Sequence, residues 1–333
     1  MTREEAAREL TIEYQRQREA DERALEARRA EAVRRDPRIG ELSDGGAALL
    51  RRAARLLLTR PEEAPEAMRR ARDQAAQMRG ELRERLERAG LAPDALEMKY
   101  RCPLCRDTGF LSDPIQRRCD CFVKRLNQRM YEDAGLAGRR EQCFEAFDEA
   151  FVPDTPVEGT GKTQRQIACL ARDRCLRYAE RYPDTPRPGL LLMGNSGLGK
   201  SFLLNSIARR LIERGHSPVK LTAYRLFEAM KSACFGDEAR AREFDRLVSA
   251  PVLLIDDLGT EPMVKNITVE CLFSLINERT GGAMHTVVAT NLTFENLRDR
   301  YTERVASRLL DTSSFEVIGL AGEDLRLMAR RRS

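Results

Sequence analysis

No stretch of this 333-residue chain approaches the ~18 consecutive apolar residues that a membrane-spanning helix needs. The opening residues, MTREEAARELTIEYQRQ, are charged and hold neither an apolar h-region nor a cleavage site. A cytoplasmic protein with no membrane partner is therefore expected. Strong charge of one sign is missing too. Lys and Arg number 58 against 53 Asp and Glu, a net charge of +5 that is compatible with nucleic acid without demanding it. Internal repeats are absent, and histidine is limited to His216 and His285. A reducing cytosol excludes stable disulfides for the nine cysteines.

What is present falls into segments. Residues 1–98 are rich in Ala, Arg, Glu and Leu, and are read as a helical, partner-binding region. One helix is expected from Thr2 to about Arg35, ended by Asp36-Pro37, a second near Ala47–Leu58, and a third over Glu63–Ala89 closed by Gly90. Apolar side chains are few here, so part of the helical surface is solvated or waits for a partner. Residues 99–125 carry a cysteine-rich module. Residues 126–162 contain three phenylalanines in "QCFEAFDEAF", end in "VPDTPVEGTG", and are read as a linker. Over residues 163–333, short apolar runs alternate with helix-length segments: "GLLLMG", "VKLTA", "PVLLIDD", "HTVVATN" and "FEVIGL". That alternation predicts buried parallel strands in an α/β fold.

Gly194-Asn195-Ser196-Gly197-Leu198-Gly199-Lys200-Ser201 matches G-x-x-x-x-G-K-[ST] between an expected strand and an expected helix. Glycines let the backbone curl so that consecutive N–H groups point at phosphate oxygens, and the helix N-terminus adds its partial positive charge. Lys200 is assigned to the β- and γ-phosphates of ATP, and Ser201 to magnesium. "VLLIDD" places Asp256 and Asp257 at a strand's carboxyl end, where adjacent carboxylates need a compensating cation. Asp256 is assigned to magnesium and Asp257 to the attacking water. Asn291, at the end of "VVATN", is expected beside Asp257 to orient that water.

Cys102, Cys105, Cys119 and Cys121 lie within 20 residues. Two close thiol pairs suit tetrahedral zinc, although the second pair has one spacer residue instead of two to four. A redox pair would need C-x-x-C heading a helix after a strand, and that context is missing. Zinc is the favoured reading, as a structural docking centre, since four thiolates leave no open position. Cys143, Cys169, Cys175, Cys234 and Cys271 are expected to be small buried side chains.

P-loop, paired aspartates and strand-end asparagine, in this order and spacing, resemble the AAA+ ATPases. "DDLGTE", "TNLTFENLRDRYTERVASRL" and "GEDLR" are similar to the DnaC/DnaI-type replicative helicase loaders and the IstB transposition helper ATPases. The resemblance implies an AAA+ domain with a five-stranded parallel sheet and no C-terminal lid. It implies an arginine finger at Arg308, acting on a neighbouring subunit's ATP, and a sensor arginine at Arg326 on the γ-phosphate. A guanidinium suits both roles through bidentate bonds to phosphoryl oxygens. Arg300 and Arg304, on the same helix as Arg308, are read as surface ion pairs. Residues 236–247 fit either a DNA-facing extra helix, as in initiator-type relatives, or a solvated one. The functions the resemblance implies are loading of the replicative DNA helicase, with single-stranded DNA bound and self-assembly, or assistance of a transposase; a nucleotide-gated adaptor with little turnover is a third reading, from another class.

Overall fold

The computed structural model describes residues 2–111, 116–136, 138, 141–234, 238–264 and 267–327. Two compact units are present, Arg8–Val123 and Met1–Ala7 with Lys124–Ser333.

Helix α1 (Arg3–Arg35), which from Arg8 on belongs to the first unit, is mostly polar apart from a few buried residues such as Leu10 and Ala32, and carries i,i+4 ion pairs such as Arg18–Glu22 at 3.0 Å. Helix α2 (Pro37–Thr59) begins at Pro37, where Asp36 accepts a bond from the Arg38 N–H and Pro37 occupies the first turn. Its start lies well before the expected Ala47. Gly45 and Gly46 argue locally against helix, but they lie against α3 (Ala64–Arg88), Gly45 facing the end of the Met78 side chain and Gly46 in contact with Ala75. Close approach of two helices, not propensity, decides that stretch. Helix α3 ends as expected, with Gly90 at φ +72° and the Leu91 N–H bonded to the Leu86 carbonyl at 2.9 Å. Ala32, Ile39 and Leu86 form the small core of this region. Beyond it lies the two-stranded ladder β1 (Phe110–Leu111) with β2 (Arg117–Arg118).

Helix α4 (Asp120–Asp133) leads to the second unit, where two 3₁₀ turns (Phe144–Ala146, Glu149–Phe151) precede the hairpin β3 (Pro156–Val157) and β4 (Lys162–Thr163). There follow α5 (Gln164–Arg181), β5 (Gly189–Met193), α6 (Lys200–Glu213), β6 (Val219–Thr222), α7 (Ala223–Cys234) and α8 (Glu238–Ser249). The chain continues through β7 (Val252–Leu258), α9 (Thr268–Gly281), β8 (His285–Thr290), α10 (Phe294–Leu309) and β9 (Phe315–Gly319). The five expected strands form one parallel sheet, and the structure sets their order as β6-β7-β8-β5-β9. Leu191, Leu253, Ile255, Val288, Phe227 and Leu275 are buried together in its core. Parallel strands covered on both faces leave only their carboxyl ends for chemistry, and β5, β7 and β8 end side by side there.

Gly236 and Asp237 of the 236–247 segment lie outside the described residues; its remainder starts α8. Among the scattered cysteines only Cys175 is fully buried; Cys143, Cys169 and Cys271 are partly exposed, and the Cys234 side chain lies outside the described residues. No described helix is long and apolar enough to cross a membrane.

Arg279 is fully buried and pairs with no carboxylate among the described residues. It donates to the carbonyls of Leu247, Val248, Ala250 and His285 and to Thr286 Oγ1. It thereby satisfies the last-turn carbonyls of α8 and ties them to β8. Burial lowers its pKa to about 10, so it stays charged at neutral pH. Nothing in its local sequence marks that role.

Candidate nucleotide site and cysteine centre

Strand β5 ends at Met193, and the chain turns at once through Gly194, at φ +149°, where any Cβ would strike the Leu320 carbonyl oxygen. Gly197 (φ +82°) and Gly199 (φ +87°) complete the curl, and α6 starts at Lys200. The Lys200 ammonium is buried and donates to the carbonyls of Gly194 and Asn195, both at 2.6 Å. Burial pulls its pKa below the ordinary lysine value, opposed by the charges of Asp257 and Asp256.

Ser201 Oγ donates to Asp256 Oδ1 at 2.9 Å. The other oxygen of Asp256 lies 3.2 Å from the Lys220 ammonium on β6, with side-chain exposures of 4% and 6% respectively. The compensating cation for the paired aspartates is thus partly resident, in Lys220. Sequence reasoning missed this residue, because only sheet order makes β6 the neighbour of β7. Asp257 is exposed and lines the cavity described below. It reaches that position from a β-bulge, at φ +55°, where the β7–β8 register shifts between Ile255 and Leu258.

After β9 the chain doubles back over the P-loop. Leu320 N–H bonds to the Met193 carbonyl (2.7 Å) and Leu325 N–H to the Gly197 carbonyl (3.1 Å). Arg326 then donates to Ser196 Oγ at 2.9 Å while pairing with Asp324 at 2.8 Å. Its pKa is raised, first by the hydrogen bond to Asp324. The P-loop, Asp257 and Arg326 share one cavity of about 710 Å³, within the ~300–1,000 Å³ range of small-ligand sites.

The cavity's other wall comes from the stretch read as a linker: Gln142, Ala146, Phe147, Asp148, Phe151 and Val152. Phe147 packs toward Phe202 of α6, ring centres 6.1 Å apart, under the Arg172 guanidinium. The phenylalanine spacing in "FEAFDEAF" was the available signal. Apolar and aromatic groups opposite a phosphate loop suit the flat face of a nucleobase. Glycine curl, helix N-terminus, lysine and the Ser201–Asp256 pair together form a donor set that fits a nucleoside triphosphate with magnesium.

Two assigned residues stand outside this cavity. Asn291 is exposed just after β8 and does not line it. Arg308 is exposed in the last turn of α10 and makes no hydrogen bond or ion pair among the described residues. Arg300 departs from the surface-pair reading. It donates to the Glu261 carbonyl, and its Nε lies 3.6 Å from the buried Glu261 carboxylate, which also accepts from the Tyr301 hydroxyl. The glutamate of "DDLGTE" thereby anchors α10 to the segment after β7. Arg304 is exposed, 3.7 Å from Glu270 and over the Phe273 ring.

In the Arg8–Val123 unit, the four clustered thiol sulfurs all lie within 4.8 Å of one another. Cys102 and Cys119 Sγ are 3.8 Å apart, close to the ~3.8 Å edge of a tetrahedron with zinc–sulfur bonds of ~2.3 Å. The Cys105–Cys121 pair is at 3.4 Å. The β1–β2 ladder brings Cys119 beside Gly109, with the Cys119 N–H on the Gly109 carbonyl at 2.8 Å. Gly109 sits at φ +76°, and an added Cβ would be 2.8 Å from Phe122. Buried Asp107 accepts from the N–H groups of Arg101 and Cys102, both at 2.8 Å, pinning the first knuckle. The backbone N–H of Cys105 is the leading cause of a Cys102 pKa of about 7, so thiolate forms readily there. The four sulfurs fit a tetrahedral metal ion.

A parallel α/β sheet with a P-loop at the end of a central strand defines a nucleotide-binding protein of the P-loop class. A family profile described as IstB-like ATP binding protein matches residues 129–333, and the chain belongs to that DnaC/IstB-type AAA+ family. The chain is 25% identical over 126 residues to the replicative helicase loader DnaI of Bacillus subtilis, covering 38% of this chain and 40% of that one. It is 29% identical over 162 residues to a putative ATP-binding protein of insertion sequence IS1162 from Pseudomonas fluorescens, covering 48% and 65%. The chain thus spans less than two thirds of either relative. Among solved structures, a DnaC helicase loader aligns with a TM-score of 0.43 and 18% identity over 56% of this chain and all of that one.

Proposed function

We propose that this protein hydrolyses ATP and uses the cycle to load a replicative DNA helicase. The observation that carries the reading is an AAA+ nucleotide site following a three-helix region and a four-thiol centre in one chain. Residues 1–98 hold the helicase, and the 99–125 module, cross-linked by zinc, keeps a short segment folded that has too little core of its own. Residues 126–162 connect to the motor and contribute the wall of the base pocket. In the 163–333 domain, Lys200 grips the β- and γ-phosphates and Arg326 contacts the γ-phosphate. Ser201 and Asp256 hold magnesium, which when bound neutralises charge on the same phosphates. Asp257 takes the proton of the attacking water, Asn291 orients that water, and Arg308 completes the site of an adjoining subunit. Tyr224, opening α7, and Phe294, opening α10, are each 53% exposed just past the carboxyl ends of their strands; such rings suit stacking on single-stranded DNA.

A second reading, a transposition helper, is favoured by the insertion-sequence relative and the family description. Mixing the full-length protein with the organism's replicative helicase, and separately with an IS21-type transposase, distinguishes the two. ATP-dependent capture of the helicase supports loading, and capture of the transposase alone replaces it. A nucleotide-gated adaptor would show capture without turnover.

Asp257→Asn is expected to keep magnesium-ATP affinity near wild type while slowing hydrolysis by ~10²–10⁴-fold, since an amide accepts no proton. Nucleotide titration beside a phosphate-release assay checks this. Surviving turnover with lost binding would instead mean that the two aspartates exchange roles.

Metal analysis of purified protein should find one zinc per chain. Cys102→Ser or Cys119→Ser should release it and weaken partner capture, with ATP affinity unchanged. Metal-free protein with full partner affinity would sink the site.

A further inference from the structure

Gln164 is the first residue of α5 and is almost fully buried, at 2% exposure. It is not needed to cap its helix. Thr163 and Gln166 already do so reciprocally, with the Gln166 N–H on Thr163 Oγ1 at 3.3 Å and the Thr163 N–H on Gln166 Oε1 at 3.0 Å. The Gln164 backbone is held independently, its N–H bonded to the Thr155 carbonyl at 2.9 Å. The side-chain amide is therefore free for another task, and both its ends go to the backbone of one residue far along the chain. Its Nε2 donates to the Glu323 carbonyl at 2.8 Å, and its Oε1 accepts from the Glu323 N–H at 2.9 Å. Gly322, at φ +125°, lies against this amide, and any Cβ there would run into it.

We propose that Gln164 is a positioning residue for nucleotide discrimination, holding the Gly322–Arg326 segment so that Arg326 faces the third phosphate. This rests on the reading of Arg326 as the γ-phosphate contact. Gln164 does not line the cavity, so its influence must pass through the segment it holds. Among the described residues, that segment's hydrogen bonds to the P-loop are the Leu325 N–H on the Gly197 carbonyl and Arg326 itself on Ser196. A buried amide that bonds both the N–H and the carbonyl of one residue holds the two consecutive peptide groups flanking it, and so fixes that residue's position and orientation together. Two residues beyond Glu323 is Leu325, and the next is Arg326. Without the clamp, the exposed pairing of Arg326 with Asp324 travels with a loose loop, and the guanidinium no longer waits where the γ-phosphate arrives.

The test uses the full-length protein with fluorescent ATP and ADP in excess magnesium. Gln164→Ala and Arg326→Ala should each lower ATP affinity by about tenfold, as expected for loss of one charge-assisted contact, and leave ADP affinity within about twofold. The double variant should bind ATP no worse than Arg326→Ala alone. Gly322→Ala, which displaces the same segment from the opposite side, should reproduce the loss of ATP preference and guards against a Gln164 variant that fails to fold. If Arg326→Ala weakens ATP selectively while Gln164→Ala and Gly322→Ala do not, the positioning role is wrong and the Arg326 reading stands. Equal losses of ATP and ADP, or a Gln164→Ala effect that adds in full to that of Arg326→Ala, would also overturn it. An Arg326→Ala protein that still prefers ATP as wild type does would remove the sensor reading, and this inference with it.

Discussion

Lys200→Ala is expected to lower magnesium-ATP affinity by about 100-fold or more, the largest binding defect of any single change in this chain. The Lys200 ammonium is buried and donates to the Gly194 and Asn195 carbonyls. An incoming triphosphate offers charged acceptors in place of neutral ones, and Lys200 is the fixed cation of the loop itself. Deleting one partner of a desolvated, hydrogen-bonded charge pair costs ~2–5 kcal/mol, and each ~1.4 kcal/mol is a factor of ten in affinity. The substitution also strips two carbonyls of their donor, so a thermal melt must accompany the titration to confirm that the loop is still folded. Titration with ATP in magnesium, at a protein concentration below the wild-type Kd, is the deciding measurement. A folded Lys200→Ala protein with wild-type affinity would end the assignment of residues 194–201 to phosphate.

Arg308→Ala is expected to bind ATP normally and yet hydrolyse it ~10³-fold more slowly under conditions where wild-type protein assembles. The side chain is exposed, stands outside the cavity of its own chain, and makes no hydrogen bond or ion pair among the described residues. A finger supplied across a subunit boundary has those properties before assembly. The consequence is a complementation that no ion pair on one chain can imitate. Mixing Arg308→Ala with Lys200→Ala should restore part of the activity, because some interfaces then join an intact P-loop to an intact arginine. A surface ion pair is worth ~1 kcal/mol or less and acts only on its own chain's stability. Phosphate release by the mixture, compared with the sum of the two variants alone, is the readout. Co-assembled protein that shows no gain would exclude the finger and favour the nucleotide-gated adaptor.

Much of the AAA+ fold was legible in the residue order because its signals are local. The five apolar runs became the five strands; the inner ones, β5, β7 and β8, are buried almost throughout, which requires apolar side chains along nearly their whole length. Gly194, Gly197 and Gly199 announced the loop because only residues without a Cβ occupy those turns without strain or collision. Paired aspartates after a Leu-Ile run and two close pairs of cysteines were equally local, and the four sulfurs do converge.

What the sequence could not announce depends on which distant elements come to lie side by side. Gly45 and Gly46 sit in a helix because α3 packs against them, a long-range gain that outweighs their local preference. Lys220 neutralises Asp256 because β6 is the strand next to β7, and no spacing along the chain encodes strand order. The phenylalanines of the connector wall the nucleotide cavity, and Gln164 grips Glu323, only because the chain folds back across the P-loop. Motif residues are chosen by the chemistry of their ligand and so carry it in their names. The side chains that hold them in place answer to the packing of the whole domain, and only the tertiary structure decides which ones they are.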